Sequence, residues 1–163
     1  MTRFEPLVFA LAQALRERGL RLVTAESCTG GLIAAACTAV AGSSDWFERG
    51  FVTYSNAAKT EAIGVDAALI AAHGAVSEEV ALAMARGALA HSHADLAVAV
   101  TGIAGPGGAS AGKPVGTVWL ALARRGGAAQ AELLQLQGER AAIREQTVEH
   151  ALRRLEALAA AAR

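Results

Sequence analysis

Apolar and polar residues follow two different spacings along the chain, and these spacings predict helices and strands in turn. Leu7, Leu11 and Leu15 recur every four residues, which predicts an amphipathic helix over about 4–18. Residues 95–101 are nearly all apolar, which is typical of a strand that is covered on both faces. Because helices alternate with strands early in the chain, the pattern indicates an α/β protein.

The complete pattern predicts five strands. These lie at 21–25, 50–55, 95–101, 117–123 and 131–137. The remaining helices are predicted from Thr29 or Gly30 to about Val40, at 56–63, at 66–72, from a cap at Ser77 to about 92, and over 139–161. The segment RRGGA joins the last two strands as a hairpin. This order predicts one domain over 1–163, with a three-layer α/β/α fold around a mixed, mostly five-stranded sheet.

Composition and charge limit the partners that we expect. Fifteen basic and fifteen acidic residues cancel, so the chain has no bulk field for nucleic acid or an anionic membrane. No apolar run approaches the roughly 18 residues of a membrane-spanning helix. Cys28 and Cys37 form neither a disulfide framework nor a CxxC pair. We therefore expect a cytoplasmic protein without a nucleic-acid or membrane partner.

The segment TAESCTGG (24–31) lies between a predicted strand and a predicted helix. Ser27 and Cys28 follow the carboxyl end of the strand, where the free N–H groups of a helix's first turn could bind an oxyanion or a phosphate. An ordinary helix N-cap formed by Ser27 or Thr29 would explain the same residues. These residues alone also leave open whether a serine or a cysteine would attack a substrate.

The segment YSNAAK (54–59) contains one of only two lysines, whereas the chain has thirteen arginines. A desolvated lysine can lose its proton and act as a base, which an arginine cannot do. Lys59 and Tyr54, the sole tyrosine, together with a serine would form a known type of nucleophilic site. A surface lysine beside a space-filling tyrosine is the alternative.

Two further segments carry groups that suit an anion. The glycine-rich stretch 101–116 is neither a Walker A loop nor a GxGxxG motif, but it offers many backbone N–H groups, unless it is a flexible surface loop. Arg140 and Arg144 lie on one face of a helix near its N-terminus, where cations oppose the dipole. An anionic ligand would explain this placement, and neutralisation by Glu139 and Glu145 would explain it equally well.

Five separated motifs resemble those of one known family. TAESCTGG, GSSDWFERGFVTYSNAAK, HGAVSEE, TGIAGPGG and KPVGTVW occur in this order and look like the C-terminal domain of the CinA family, over about residues 5–155. The resemblance implies a mixed-sheet α/β/α fold and a homodimer. It also implies hydrolysis of nicotinamide mononucleotide to nicotinate mononucleotide and ammonia, a step of pyridine nucleotide salvage that uses no metal or cofactor.

The resemblance also implies which residues react. Ser27 would be the nucleophile and Lys59 its base, with Tyr54 close by. Cys28 is the chemical rival, but a reactive cysteine usually needs a histidine or another cation. Adjacent side chains on a strand-to-turn path point in opposite directions, so we expect Cys28 on the packed side.

The remaining expectations surround this pair with substrate-binding groups. The N–H groups of Cys28, Thr29 and Gly30 would form an oxyanion hole. Substrate contacts are expected from Glu26, Gly31, Thr101, Gly102, Gly105, Gly107, Arg140 and Arg144. Within this set, Arg140 and the 102–108 loop would hold the phosphate, and Glu26 would orient Lys59 or the ribose.

Two other functions stay open at this point. The same pocket could belong to a non-catalytic module that senses a pyridine nucleotide and reports it to a partner. A metal-dependent phosphohydrolase could use the glycine-rich loop with Glu26 or Asp45, although no carboxylate cluster lies near the glycines.

Overall fold

The computed structural model describes residues 1–162, with a five-stranded sheet between two layers of helices. The strands are β1 (Leu22–Glu26), β2 (Phe47–Val52), β3 (Leu96–Gly102), β4 (Thr117–Arg124) and β5 (Ala129–Gln135). The helices are α1 (Glu5–Arg18), α2 (Leu32–Thr38), α3 (Asn56–Ile63), α4 (Ala67–His73), α5 (Glu78–Ala90) and α6 (Arg140–Ala161). The predicted three-layer α/β fold with a mixed five-stranded sheet is confirmed.

The order of the strands brings three carboxyl ends to one edge of the sheet. The order is β2-β1-β3-β4-β5, in which β1 runs parallel to both of its neighbours. The pairs β3–β4 and β4–β5 are antiparallel, and the last pair is the hairpin that the sequence predicts. The chain therefore leaves β1, β2 and β3 at the same edge.

The two faces of the sheet carry side chains of different size. The face packed against α1, α2 and α6 presents large residues such as Leu22, Val98 and Leu120. The opposite face, covered by α3, α4 and α5, presents mainly alanines, among them Ala25 and Ala99. This alternation follows from the two-residue period of a strand, and it separates the apolar core into two layers.

Several element boundaries differ from the prediction, and those of α2 and β2 lie next to the site. Helix α2 begins at Leu32 instead of Thr29 or Gly30, because Gly30 (φ 59°) and Gly31 (φ 100°) adopt left-handed backbone conformations that interrupt a helix. Strand β2 begins and ends three residues earlier than predicted, since residues 53–55 turn into α3. Residues 28–31 thus form a tight turn in front of α2.

None of the helices within residues 1–162 is long and apolar enough to cross a membrane.

Candidate active site

A cleft lies at the edge where the three parallel strands end. Ser27 follows β1 directly, and its N–H donates to the Val100 carbonyl of β3 at 3.1 Å. Thr53 follows β2, and its N–H donates to the Glu26 carbonyl at 2.9 Å. These bonds extend both parallel pairings by one residue and fix the turns that leave them. The crevice outside the carboxyl ends of such strands is the usual ligand site of open α/β sheets.

The structure brings Ser27 and Lys59 together in this cleft. Lys59 lies on α3, is only 1 % exposed, and places its Nζ 3.0 Å from Ser27 Oγ. The same Nζ lies 2.8 Å from the Thr53 carbonyl oxygen and 3.5 Å from those of Tyr54 and Ser55. Three carbonyls of the turn after β2 therefore aim the amine at the serine hydroxyl.

The surroundings of the amine favour its neutral form. No carboxylate among residues 1–162 forms an ion pair with Lys59, and burial lowers the pKa of its ammonium below the ordinary value of 10.5. A neutral amine can donate to the Thr53 carbonyl while its lone pair accepts the Ser27 hydroxyl proton. The 3.0 Å contact and the burial of the amine are both compatible with a hydroxyl paired to a base.

Cys28 faces a different environment. Its side chain is 6 % exposed and packs within the core layer that contains α1, α2 and α6. Burial raises the pKa of the Cys28 thiol to about 12, so the thiol stays protonated near neutral pH. The thiolate that a cysteine nucleophile needs is therefore disfavoured here.

The turn at 28–31 offers fewer oxyanion donors than expected. The Gly30 N–H already donates to the Ser27 carbonyl at 3.0 Å, and Thr29 is completely buried and does not line the cleft. Cys28 does line the cleft, and no oxygen atom of the described residues accepts its N–H. Of the three expected donors, only the Cys28 N–H belongs to a residue that lines the cleft, and its role as an oxyanion donor stays a prediction.

Glu26 has a different environment from the one expected of a substrate-binding residue. Its side chain is fully buried on the face opposite Ser27, because neighbouring strand residues alternate. One carboxyl oxygen accepts the Thr29 hydroxyl at 2.6 Å and the Ile33 N–H at 2.8 Å, and the other accepts the Ala34 N–H at 3.0 Å. Glu26 therefore caps the start of α2 and does not orient Lys59 or a ribose.

This capping role gives a prediction for stability. Glu26→Gln should lower the free energy of unfolding by about 2 kcal/mol, because the new amide group would face the Ala34 N–H and leave a buried donor unsatisfied. Urea unfolding measures the change. Glu61→Gln, at an exposed position of α3, is the matched control and should stay within about 0.5 kcal/mol of wild type. Equal effects of the two substitutions would contradict the capping role.

The two arginines at the start of α6 have separate partners. Arg140 is exposed, and it donates to the Tyr54 hydroxyl at 3.0 Å and to the Gly105 carbonyl at 2.8 Å. Arg144 is half-buried, and its guanidinium donates to the carbonyls of Cys28 and Thr29. Arg140 thus lies at the mouth of the cleft, whereas Arg144 holds the turn that follows Ser27.

Not all of the expected site residues line the cleft, which has a volume of about 230 Å³. Those that do are Ser27, Cys28, Tyr54, Lys59, Thr101, Gly102 and Arg140. Gly31 instead bounds α2 with its Cα facing Val52, Gly105 contributes its carbonyl to Arg140, and Gly107 is exposed. An adjoining cavity of about 740 Å³ shares Ala104 and Arg140 with the cleft and extends along the start of α6.

Four cleft residues were missing from the sequence-based prediction, namely Asn56, Ala75, Val76 and Ala104. Asn56 belongs to the YSNAAK segment, and Ala75 and Val76 belong to HGAVSEE, so the motifs themselves were a usable signal. The Thr101 hydroxyl donates to the Ala75 carbonyl at 2.9 Å and joins the HGAVSEE loop to the end of β3. Ala75, Val76 and Ala104 have no polar side-chain atom that would have selected them, whereas the Asn56 amide is polar and could have been selected.

The acidic residues are not arranged to hold a metal ion. Among residues 1–162, no group of three His, Cys, Asp or Glu side chains converges on a common point. Glu26 is buried beneath α2, and Asp45 pairs with Arg16 at 3.5 Å, so neither lines the cleft. This arrangement does not favour a phosphohydrolase that uses these two carboxylates.

Comparison with known proteins supports the resemblance of the motifs. The sequence profile described as the CinA C-terminal domain matches residues 5–159. The nicotinamide-nucleotide amidohydrolase PncC of Escherichia coli (strain K12) is 53 % identical over 145 residues, covering 89 % of this chain and 88 % of that protein. The chain spans about a third of other curated relatives, such as the CinA-like protein of Geobacter sulfurreducens (57 % identical, 88 % of this chain, 34 % of that protein).

A solved structure shows the same fold. The competence/damage inducible protein CihA from Agrobacterium tumefaciens superposes with a TM-score of 0.92 at 50 % identity, covering 95 % of this chain and 94 % of that one. Sequence profile, relatives and fold agree over nearly the whole chain. The protein therefore belongs to the CinA C-terminal domain family.

Proposed function

We propose that the protein hydrolyses nicotinamide mononucleotide to nicotinate mononucleotide and ammonia, as a step of pyridine nucleotide salvage. The observation that carries the proposal is the 3.0 Å contact between Ser27 Oγ and the buried amine of Lys59. The name of the Escherichia coli relative, which matches along most of both chains, supplies the substrate.

The first half of the reaction acylates the serine. Burial lowers the pKa of the Lys59 ammonium, and in its neutral form Nζ takes the Ser27 proton while Oγ attacks the carboxamide carbon. The Cys28 N–H stabilises the resulting oxyanion, a kind of contact typically worth about 3 kcal/mol. The Lys59 ammonium then gives its proton to the amide nitrogen, the C–N bond breaks and ammonia leaves, which produces a nicotinoyl ester on Ser27.

The second half reverses these roles. Water gives a proton to neutral Lys59 and attacks the ester carbon, and the bond from that carbon to Ser27 Oγ then breaks. Lys59 returns the proton to Oγ, so that the acid is released and the enzyme is restored. The pyridinium ring of the substrate carries a positive charge, which opposes protonation of the nearby lysine and keeps the base available.

The phosphate of the substrate would lie outside the reacting centre. Arg140 is exposed at the boundary between the cleft and the adjoining cavity, and its partners there are a neutral hydroxyl and a carbonyl. A phosphate offers this guanidinium a charged bidentate partner, which is a stronger interaction than either. We therefore assign phosphate binding to Arg140 and the glycine-rich loop next to it.

An ammonia assay tests the proposal. The protein is incubated with nicotinamide mononucleotide and a chelator, and free ammonia and nicotinate mononucleotide are quantified. Both products should form in equal amounts and chelation should have no effect. Binding of the nucleotide without ammonia release would instead indicate a sensing module, and release of phosphate that the chelator abolishes would indicate a phosphohydrolase.

Cys28→Ala should leave most of the turnover intact. The backbone N–H that stabilises the oxyanion is unchanged, and the buried thiol takes no part in the chemistry. Loss of the packed sulfur should lower the free energy of unfolding by about 1 kcal/mol, as is common for core substitutions. Ammonia release and thermal unfolding, measured side by side, separate the two effects, and complete loss of turnover in a folded variant would make Cys28 the nucleophile.

A further inference from the structure

Arg144 makes contacts that substrate binding does not explain. Its Nη2 donates to the Thr29 carbonyl at 3.0 Å and its Nε to the Cys28 carbonyl at 3.2 Å. Both carbonyls belong to the turn between the nucleophile and α2. Two bonds from one planar guanidinium fix two consecutive peptides, which a single flexible donor could not do.

The Thr29–Gly30 peptide transmits the constraint from Arg144 to the Gly30 N–H. Its bond is trans, so the carbonyl that Arg144 holds and the Gly30 N–H point in opposite directions from one plane. The Gly30 N–H donates in turn to the Ser27 carbonyl at 3.0 Å. Fixing one edge of this peptide therefore fixes the donor on its other edge.

The Ser27–Cys28 peptide repeats the same relation. It is also trans, so its Cys28 N–H projects away from the Ser27 carbonyl that Gly30 holds. Ser27 and Cys28 both line the cleft, whereas Arg144 lies on the other side of the turn and lines the adjoining cavity. A chain of hydrogen bonds thus runs from a fixed positive charge, through two peptide planes, to the donor beside the nucleophile.

We propose that Arg144 is a positioning residue that orients and polarises the Cys28 N–H through the Thr29–Gly30 and Ser27–Cys28 peptides, and that it does not bind the phosphate. The inference rests on the proposed amidase function for its catalytic consequence, but not for its geometry. Hydrogen bonds in series strengthen one another, so the guanidinium makes the Cys28 N–H a better donor to a developing oxyanion. That gain arises in the transition state and not when the substrate binds.

The kinetic test uses two arginines on one helix. Arg144→Met should lower kcat about tenfold to a hundredfold with little change in KM, somewhat less than the loss of a complete oxyanion donor. Arg144→Lys can keep one of the two hydrogen bonds, so its kcat should lie between those of Arg144→Met and wild type. Arg140→Met should mainly raise KM for nicotinamide mononucleotide. A rise in KM with unchanged kcat for Arg144→Met would overturn the proposal and indicate phosphate binding.

A second measurement does not depend on turnover. In ¹⁵N–¹H spectra, the Gly30 amide proton of Arg144→Met should move upfield and exchange faster with solvent, because its bond to the Ser27 carbonyl is weakened. Arg153→Met, at an exposed position of α6 paired with Glu149, is the control for loss of charge and should leave Gly30 unchanged. An unaltered chemical shift and exchange rate of the Gly30 amide in Arg144→Met would overturn the proposed role of Arg144. Absence of ammonia release by wild type would contradict the proposed function alone, and the Gly30 amide would still decide the inference.

Discussion

Ser27→Ala is expected to abolish ammonia release from nicotinamide mononucleotide, with kcat falling by roughly 10⁴-fold or more, as for other serine nucleophiles. The substitution removes the only atom of the side chain that can form the acyl bond, and the amine 3.0 Å away then has no hydroxyl to deprotonate. Because alanine fits the space of serine, the nucleotide should still bind. A coupled ammonia assay gives kcat, and isothermal titration with the same nucleotide gives Kd.

Ser44→Ala is the matched control for this prediction. Ser44 is exposed in the turn before β2 and does not line the cleft, so the variant should show wild-type turnover. Thermal unfolding of both variants shows whether the fold is retained. Full activity of a folded Ser27→Ala variant would exclude the serine mechanism, and if Cys28→Ala were then inactive the enzyme would be a cysteine hydrolase.

Local sequence signals were sufficient to predict several elements. Helix α3 spans the predicted residues 56–63, because Ser55 accepts the Ala58 N–H at its start and Gly64 adopts a left-handed conformation at its end. The first residues of α5 follow the same rule, with the Ser77 hydroxyl accepting the Val80 N–H. Such signals depend on neighbouring residues alone, and a single sequence contains them in full.

The predictions for the start of α2 and for the role of Glu26 were wrong for different reasons. The start of α2 depended on the φ angles of Gly30 and Gly31, which glycine leaves undetermined until the turn is packed. The role of Glu26, in contrast, could have been predicted. The alternation that separates Ser27 from Cys28 also separates Ser27 from Glu26, and it places the carboxyl group beneath the helix instead of in the cleft.

The different contacts of Arg140 and Arg144 could not be predicted from their spacing in the sequence. The two arginines are four residues apart and lie on one face of α6, so the sequence suggested a shared partner, either an anionic ligand or the neighbouring glutamates. The carbonyls that Arg144 binds belong to residues more than a hundred positions earlier, so only the tertiary fold brings them together. The Ser27 hydroxyl that Lys59 meets lies 32 positions earlier, so this contact also depends on the tertiary fold.

Lys59 should be nearly as necessary as Ser27, because within residues 1–162 its amine is the only side-chain group hydrogen-bonded to the Ser27 hydroxyl. Lys59→Met should lower kcat by roughly 10³–10⁴-fold, near the upper range for general acid–base catalysis. Lys59→Arg should be equally inactive, since arginine keeps the positive charge but does not deprotonate near neutral pH. Ammonia release measured for both variants distinguishes a need for a base from a need for charge.

Lys113→Arg is the control, because Lys113 is the only other lysine and its amine donates to the His73 carbonyl at an exposed position. This variant should keep wild-type turnover. In wild type, kcat/KM should rise with pH as Lys59 loses its proton, with an apparent pKa below the ordinary 10.5. Activity of Lys59→Arg equal to that of wild type would show that the residue does not act as a base.

Lys59 should also make stability depend on pH, and this can be measured without a substrate. The pKa of Lys59 is lower in the folded protein than in the unfolded chain, so the unfolded chain binds the extra proton between these two pKa values. Wild type should therefore lose stability as pH falls from the unfolded lysine pKa towards the folded one, whereas Lys59→Met lacks this contribution. As pH falls over that range, the free energy of unfolding of Lys59→Met should increase relative to that of wild type. A difference that is independent of pH would mean that the amine is not desolvated, and a lysine with an ordinary pKa would be too rarely neutral to serve Ser27 as its base.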